Sequence, residues 1–187
     1  MLHRVFLSIA IPKDIKEKLL QFKEEYKEIP AKWTDEENLH LTLIFLGNTS
    51  DQELIPVIET IQSSVKEHES FELNISSIVY GPSAEKPKMI WAIINASSEL
   101  KGLQKDLENN LASSEEISFV KERRDFSPHL TLARLKQTEF NIIEVEERQE
   151  VNKEISLSFP VSSIEVMESN ISKSGVNHTI LQSIPLS

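Results

Sequence analysis

Apolar positions recur along the chain with two periods, and the switches between them mark out strands and helices. Val5 to Ile11 is β-rich and apolar, and Pro12 closes it. From Lys13 onward, Ile15, Leu19, Phe22 and Tyr26 recur at helical spacing, which predicts a helix ending before Pro30. A polar connection, Ala31 to Asn38, leads into an apolar strand from Leu39 to Leu46 that ends at Gly47. Ser50-Asp51-Gln52-Glu53 reads as a capping box opening a second helix with Leu54, Val57, Ile58 and Ile61 on one stripe. Phe71 to Tyr80 alternates as a strand and is closed by Gly81-Pro82.

The same order then begins again. Met89 to Ile94 predicts a strand, and Ser97 to Leu111 a helix with Leu100, Leu103, Leu107 and Leu111 on one face. A polar stretch with Lys121, Arg123 and Arg124 precedes a second apolar strand, Pro128 to Leu135. A weaker helical pattern covers Ile142 to Gln149, and Ile155, Leu157 and Phe159 alternate in a further strand. Val161 to Met167 and Val176 to Ile184 complete the pattern as strands around a turn at Gly175. Each half therefore reads strand, helix, strand, helix, strand. The expected fold is α+β: one bilobal domain over residues 1–187, with pseudo-symmetric lobes at roughly 1–82 and 83–187. Antiparallel sheets face a central cleft, and the helices lie outside.

At equivalent places the two halves carry the same four residues, His40-Leu41-Thr42-Leu43 and His129-Leu130-Thr131-Leu132. Side chains two apart on a strand share a face. Each copy thus presents imidazole and hydroxyl on one face and leucines on the other. With 5 histidines in the chain, chance predicts about 0.2 His-x-Thr triplets, far below the two observed. The pseudo-symmetry brings the two strands face to face across the cleft, a favoured place for a small ligand.

Composition narrows the chemistry. There are no cysteines, which removes thiolate nucleophiles, thiolate metal sites and disulfides and fits a reducing compartment. A net charge of −10 argues against a long nucleic-acid surface but leaves room for one anionic group in a local basic pocket. The apolar start is short and runs straight into charged Lys13 to Lys18, so it reads as a strand of a cytoplasmic protein rather than a leader, and no run is long enough to span a membrane.

Two imidazoles flanking one substrate can divide proton transfer, one taking a proton from the nucleophile and the other giving one to the leaving group. Neighbouring threonine hydroxyls can donate to oxygens that gain negative charge. In-line displacement at phosphorus without a metal needs this set, and a 2′,3′-cyclic phosphate suits it. Spacing alone leaves open which histidine is acid and which is base. No metal or cofactor is expected: hydroxyls are poor zinc ligands, and neither a G-x-S-x-G elbow nor a glycine-rich phosphate loop is present. A module of this fold that binds nucleotide without turnover, and a scaffold that uses the cleft for a protein partner, are the alternatives.

These residues resemble the two-histidine (2H) phosphoesterases, specifically the RNA 2′,3′-cyclic phosphodiesterases also called 2′-5′ RNA ligases. The likeness runs through Arg4 to Pro12, Lys32-Trp33, Glu37 to Gly47, Ile90-Trp91-Ala92, Phe126 to Arg134 and Ile164 to Ser169. It implies a cyclic phosphodiesterase that leaves a 2′-phosphate, with His40 as proton donor and His129 as proton acceptor. Thr42 and Thr131 would hold the phosphate, and Arg134, Phe126 and Trp33 are possible substrate contacts. Ligation could instead be the main activity. The expected partner is an RNA end or a small cyclic nucleotide, with no membrane, no obligate protein partner and a monomeric state. By strict alternation Arg134 would point away from His129, so a bulge must intervene for it to reach the site. Trp91 could line the cleft or belong to the core. Where the family often has a tyrosine near the C-terminus, this chain has Asn177-His178, and His3, His68 and His178 read as surface or strand histidines.

Overall fold

The structure is a computed structural model and describes residues 1–172 and 175–187. In chain order its elements are β1 (Leu2–Ala10), α1 (Lys13–Leu20), α2 (Phe22–Glu25), β2 (Ala31–Trp33), β3 (His40–Ser50), α3 (Asp51–Val65), β4 (Phe71–Gly81) and β5 (Met89–Ile94). There follow α4 (Ser98–Ser113), β6 (His129–Leu135), α5 (Gln137–Phe140), β7 (Asn152–Val161), β8 (Ser163–Ser172) and β9 (Gly175–Pro185). The strands form a four-stranded sheet of order β3-β1-β8-β9 and a five-stranded sheet of order β2-β6-β5-β4-β7. Neighbouring strands pair antiparallel throughout, as an α+β fold of this kind requires.

In each sheet the motif strand lies beside the strand that opens its half: β3 beside β1, and β6 beside β5. The sheets do not, however, divide at residue 82. β2 and β4 come from the first 82 residues yet join the second sheet, while the β8–β9 hairpin crosses back onto β1. The reason is local. A short connection links β4 to β5, and sequential strands joined this way pair as neighbours. A repeat in element order therefore does not dictate which sheet each strand enters.

Helices α3 and α4 pack against each other and both contact β3, while α3 also contacts β9. The Ser50–Glu53 capping box is present, with the Ser50 N–H donating to Glu53 Oε2 at 2.8 Å. Helix α3 buries Val57, Ile61 and Val65; α4 buries Leu100, Leu103, Leu107 and Leu111. The helix expected from Lys13 is broken at Gln21 into α1 and α2. The helix expected over Ile142 to Gln149 is not formed; one 3₁₀ turn, Val145–Glu147, stands there. Ile142 and Val145 are exposed, so that segment has no apolar stripe to hold a helix down. Strand β3 runs past Gly47, whose φ of 82° permits a bend within the strand. The turn is expected at Gly175, where β9 begins; the two residues before it, Lys173 and Ser174, lie outside the described residues. Among the described residues no helix is long and apolar enough to cross a membrane.

Candidate active site

Strands β3 and β6, one from each sheet, lie against each other and carry the two motifs. The motifs share a burial sequence. His40 and Thr42 are half-buried between buried Leu41 and Leu43, and His129 and Thr131 between buried Leu130 and Leu132. The leucines anchor each strand in the core, so imidazole and hydroxyl face outward from it together.

Both strands then break alternation at the same place. Ser8 pairs with Thr42 and Leu7 with Ile44, which leaves Leu43 unmatched. Trp91 pairs with Thr131 and Ile90 with Ala133, which leaves Leu132 unmatched. These are bulges, and in each the extra residue and its successor are both buried. The following residue is thereby turned to the histidine face. In the second motif that residue is Arg134; in the first it is Phe45, 62% exposed. Side-chain contacts agree for Arg134: Met89 Sδ lies 3.5 Å from Arg134 Nη1 and 3.9 Å from Thr131 Oγ1. The bulge that strict alternation demanded for Arg134 is present.

The imidazoles are held alike. His40 Nδ1 donates to the Asn38 carbonyl at 2.8 Å, and His129 Nδ1 donates to the Ser127 carbonyl at 2.7 Å. A carbonyl can only accept, so Nδ1 carries the proton in each ring and Nε2 is the nitrogen that carries the lone pair. In the neutral ring of His40, Nε2 accepts from the Thr42 hydroxyl at 3.1 Å. Burial pushes His40 down to about 4, with His178 and Lys16 adding to the effect and the Asn38 carbonyl opposing it. Burial also lowers His129, against the Ser127 carbonyl. At neutral pH the free protein thus holds both rings neutral.

Each histidine also has an aromatic wall. The Trp91 indole stacks on His129 with centroids 3.7 Å apart and planes 21° from parallel. On its other side the indole lies so close to Gly81 that a Cβ there would sit 2.2 Å from Cδ2. His40 packs against Phe6 at 4.9 Å and edge-on against His178 at 5.0 Å, and Phe6 in turn touches His178 at 5.0 Å. The Nδ1 of His178 is buried without a partner among the described residues.

Two sequence candidates pack against the core. Trp33 pairs with Ala133, which is buried, so it shares the core-facing side of β6 and packs against the hydrophobic core instead of the histidines. The bulge that brings Arg134 in is what turns Ala133, and with it Trp33, away. Phe126 is half-buried and also packs on the core. Lys121, Arg123 and Arg124 are exposed; Lys121 bonds to Asn109 and Arg124 to Glu122. Among the described residues no group of three His, Cys, Asp or Glu side chains could hold a metal ion.

Residues 9–91 and 94–177 match the sequence model of the LigT like phosphoesterases, with one His-x-Thr motif in each segment. The chain belongs to this family. An RNA 2′,3′-cyclic phosphodiesterase of Methanocaldococcus jannaschii is 28% identical over 180 residues, spanning 96% of this chain and 98% of that protein. The fold is similar to TT0787 of Thermus thermophilus, with a TM-score of 0.83 at 21% identity over 98% of this chain and 97% of that one. It is also similar to Escherichia coli LigT complexed with 3′-AMP, with a TM-score of 0.80 at 20% identity over 100% and 99% of the two chains.

Three residues of this LigT-like phosphoesterase site escape the sequence reading. Phe45 is not singled out, although it stands as far beyond His40 as Arg134 does beyond His129, and that equivalence is legible. Trp91 is left between cleft and core because periodicity cannot say which face of β5 meets His129. His178 reads as an ordinary strand histidine, because nothing in its own strand reports that it packs against His40.

Proposed function

We propose that this LigT-like phosphoesterase is an RNA 2′,3′-cyclic phosphodiesterase that opens the cyclic phosphate to a 2′-phosphate. The observation that carries the reading is the pair of Nδ1-anchored imidazoles, each two residues before a threonine on the same face of its strand, the two strands lying against each other. The name carried by the Methanocaldococcus jannaschii relative supports the substrate class. The complex of E. coli LigT with 3′-AMP supports a nucleotide-sized ligand for this fold.

In this mechanism His129 Nε2 takes a proton from water as the water oxygen bonds to phosphorus. The P–O3′ bond breaks, and protonated His40 delivers its Nε2 proton to O3′. The products are a 2′-phosphate and a free 3′-hydroxyl, and the two protonation states are exchanged back through solvent. Thr42, Thr131 and Arg134 donate to the nonbridging oxygens, where charge accumulates. Phe45 offers an exposed ring on the same face for the base to stack on. His40 must be protonated to act, and the bound phosphate anion supplies the field that raises it from its low value in the free protein.

The test is to incubate the protein with each 2′,3′-cyclic nucleoside monophosphate in EDTA and identify the product. The expected product is the 2′-monophosphate, formed at the same rate with and without chelator. A 3′-monophosphate would reverse the leaving group, a divalent ion requirement would end the metal-free mechanism, and binding without turnover would leave a nucleotide-binding module.

A further inference from the structure

We propose that Lys32, beside Arg134 on the histidine face, forms a second anion site that takes the phosphodiester on the 5′ side of the cyclic end. The preferred substrate is then an RNA chain end and not a free cyclic nucleotide. The proposal rests on the phosphodiesterase reading of the same cleft.

The register carries it. Lys32 on β2 is the direct cross-strand partner of Arg134 on β6, so their side chains leave the same face of the sheet. That face is the one carrying His129 and Thr131, because Arg134 and Thr131 both reach Met89 Sδ on it. Like charges placed directly opposite on neighbouring strands destabilise a sheet. No carboxylate offsets the repulsion here: among the described residues neither Lys32 nor Arg134 has one within ion-pairing distance. Acids are not scarce, since the chain holds 30 Asp and Glu against 20 Lys and Arg. Other lysines do find them, as Lys153 does with Glu25 at 2.6 Å. Two adjacent cations left unneutralised beside a phosphate site are suited to two anions.

Their positions divide the work. Arg134 is on the motif strand, next to Thr131, and serves the reacting phosphate. Lys32 is one strand further out, on β2, the edge of its sheet. Among the described residues no further strand of this sheet lies beyond β2. Lys32 is exposed and its ammonium is free to follow a flexible phosphodiester, which needs charge and reach more than a fixed bidentate geometry.

The test compares 2′,3′-cyclic AMP with the dinucleotide ApA ending in a 2′,3′-cyclic phosphate. Lys32→Gln should lower the ratio of dinucleotide to mononucleotide kcat/KM by about 3- to 30-fold, the range of one solvent-exposed to well-formed phosphate contact. Lys32→Arg should preserve it. In the wild type, log kcat/KM for the dinucleotide should fall more steeply with log salt than for the mononucleotide, by a slope of about 0.7 for one single-strand phosphate contact. That excess slope should vanish in Lys32→Gln. A ratio and an excess slope unchanged in Lys32→Gln would overturn the site, as would equal losses on both substrates, which would place Lys32 on the reacting phosphate. Calorimetric binding of 2′-AMP and of ApA 2′-phosphate gives the same contrast without turnover. A protein that hydrolyses neither cyclic substrate, yet loses its dinucleotide preference in Lys32→Gln, would refute the phosphodiesterase reading and keep this site.

Discussion

Replacing Gly81 by alanine should disable the site without touching a reacting group. A Cβ at Gly81 would lie 2.2, 2.5 and 2.6 Å from Cδ2, Cε2 and Cε3 of Trp91. Carbon atoms rest about 3.5–4.0 Å apart, so the indole must retreat by roughly 1 Å or more. These are atoms of a rigid ring packed in a sheet, and the ring's stacking partner is His129 at 3.7 Å. A displacement of about 1 Å at a reacting group costs on the order of 10²-fold in rate, so kcat should fall by about 10- to 100-fold. Overpacking of this kind costs about 1–3 kcal/mol, and in a chain of this size Tm should drop by roughly 2–10 °C. The assay is kcat on a cyclic nucleotide, with thermal unfolding and indole fluorescence on the same samples. In a Trp91→Leu background the alanine should cost much less stability, because the clash is gone, while activity stays low. A Gly81→Ala protein with wild-type kcat and an unchanged indole spectrum would refute the claim that the stack positions His129.

Other outcomes follow from the same geometry. Thr42→Val and Thr131→Val keep the strand but remove the hydroxyls, and each should lower kcat by about 10- to 10³-fold, the lower side of losses at oxyanion donors. Wild-type turnover in both would reduce the threonines to strand formers. Phe45→Leu should raise KM for cyclic nucleotides by about 5- to 100-fold with little change in kcat, the value of one base-stacking contact, and Phe45→Tyr should restore it. An unchanged KM in Phe45→Leu would show that the exposed ring does not meet the base.

Most of the fold could be read from residue patterns, and the exceptions have specific causes. The leucine stripe of α4 and the Ser50–Glu53 box of α3 were legible because periodicity and capping act within one element. Strand partners were not, since the pairing of β4 with β5 depends on a connection and not on the repeat. At the site, His40, Thr42, His129 and Thr131 were visible through alternation alone. Alternation fails one residue later, at Leu43 and Leu132, because a bulge inserts a residue without changing the local composition. The trace it leaves is two adjacent buried apolar residues, Leu43-Ile44 and Leu132-Ala133, before Phe45 and Arg134 emerge. Trp33, a possible substrate contact by resemblance, packs against the core beside Ala133. His178 and Trp91 reach the histidines from other strands, and no local pattern reports a contact of that kind.

The division of labour between the two histidines is tested most directly by the pH dependence of kcat/KM in the wild type, His40→Ala and His129→Ala. The donor must be protonated, so its loss of function comes as pH rises; the acceptor must be neutral, so its loss comes as pH falls. Burial lowers both rings, His40 to about 4, and the wild-type bell for the free enzyme should therefore peak on the acid side of neutral. The alkaline limb of kcat should lie at higher pH than that of kcat/KM, because the bound phosphate favours protonated His40. His129→Ala should remove the acid limb and His40→Ala the alkaline one, each with activity lower by about 10²- to 10⁴-fold. The opposite assignment of limbs would exchange the two roles, and two variants that both retain the full bell would contradict acid–base catalysis by these histidines.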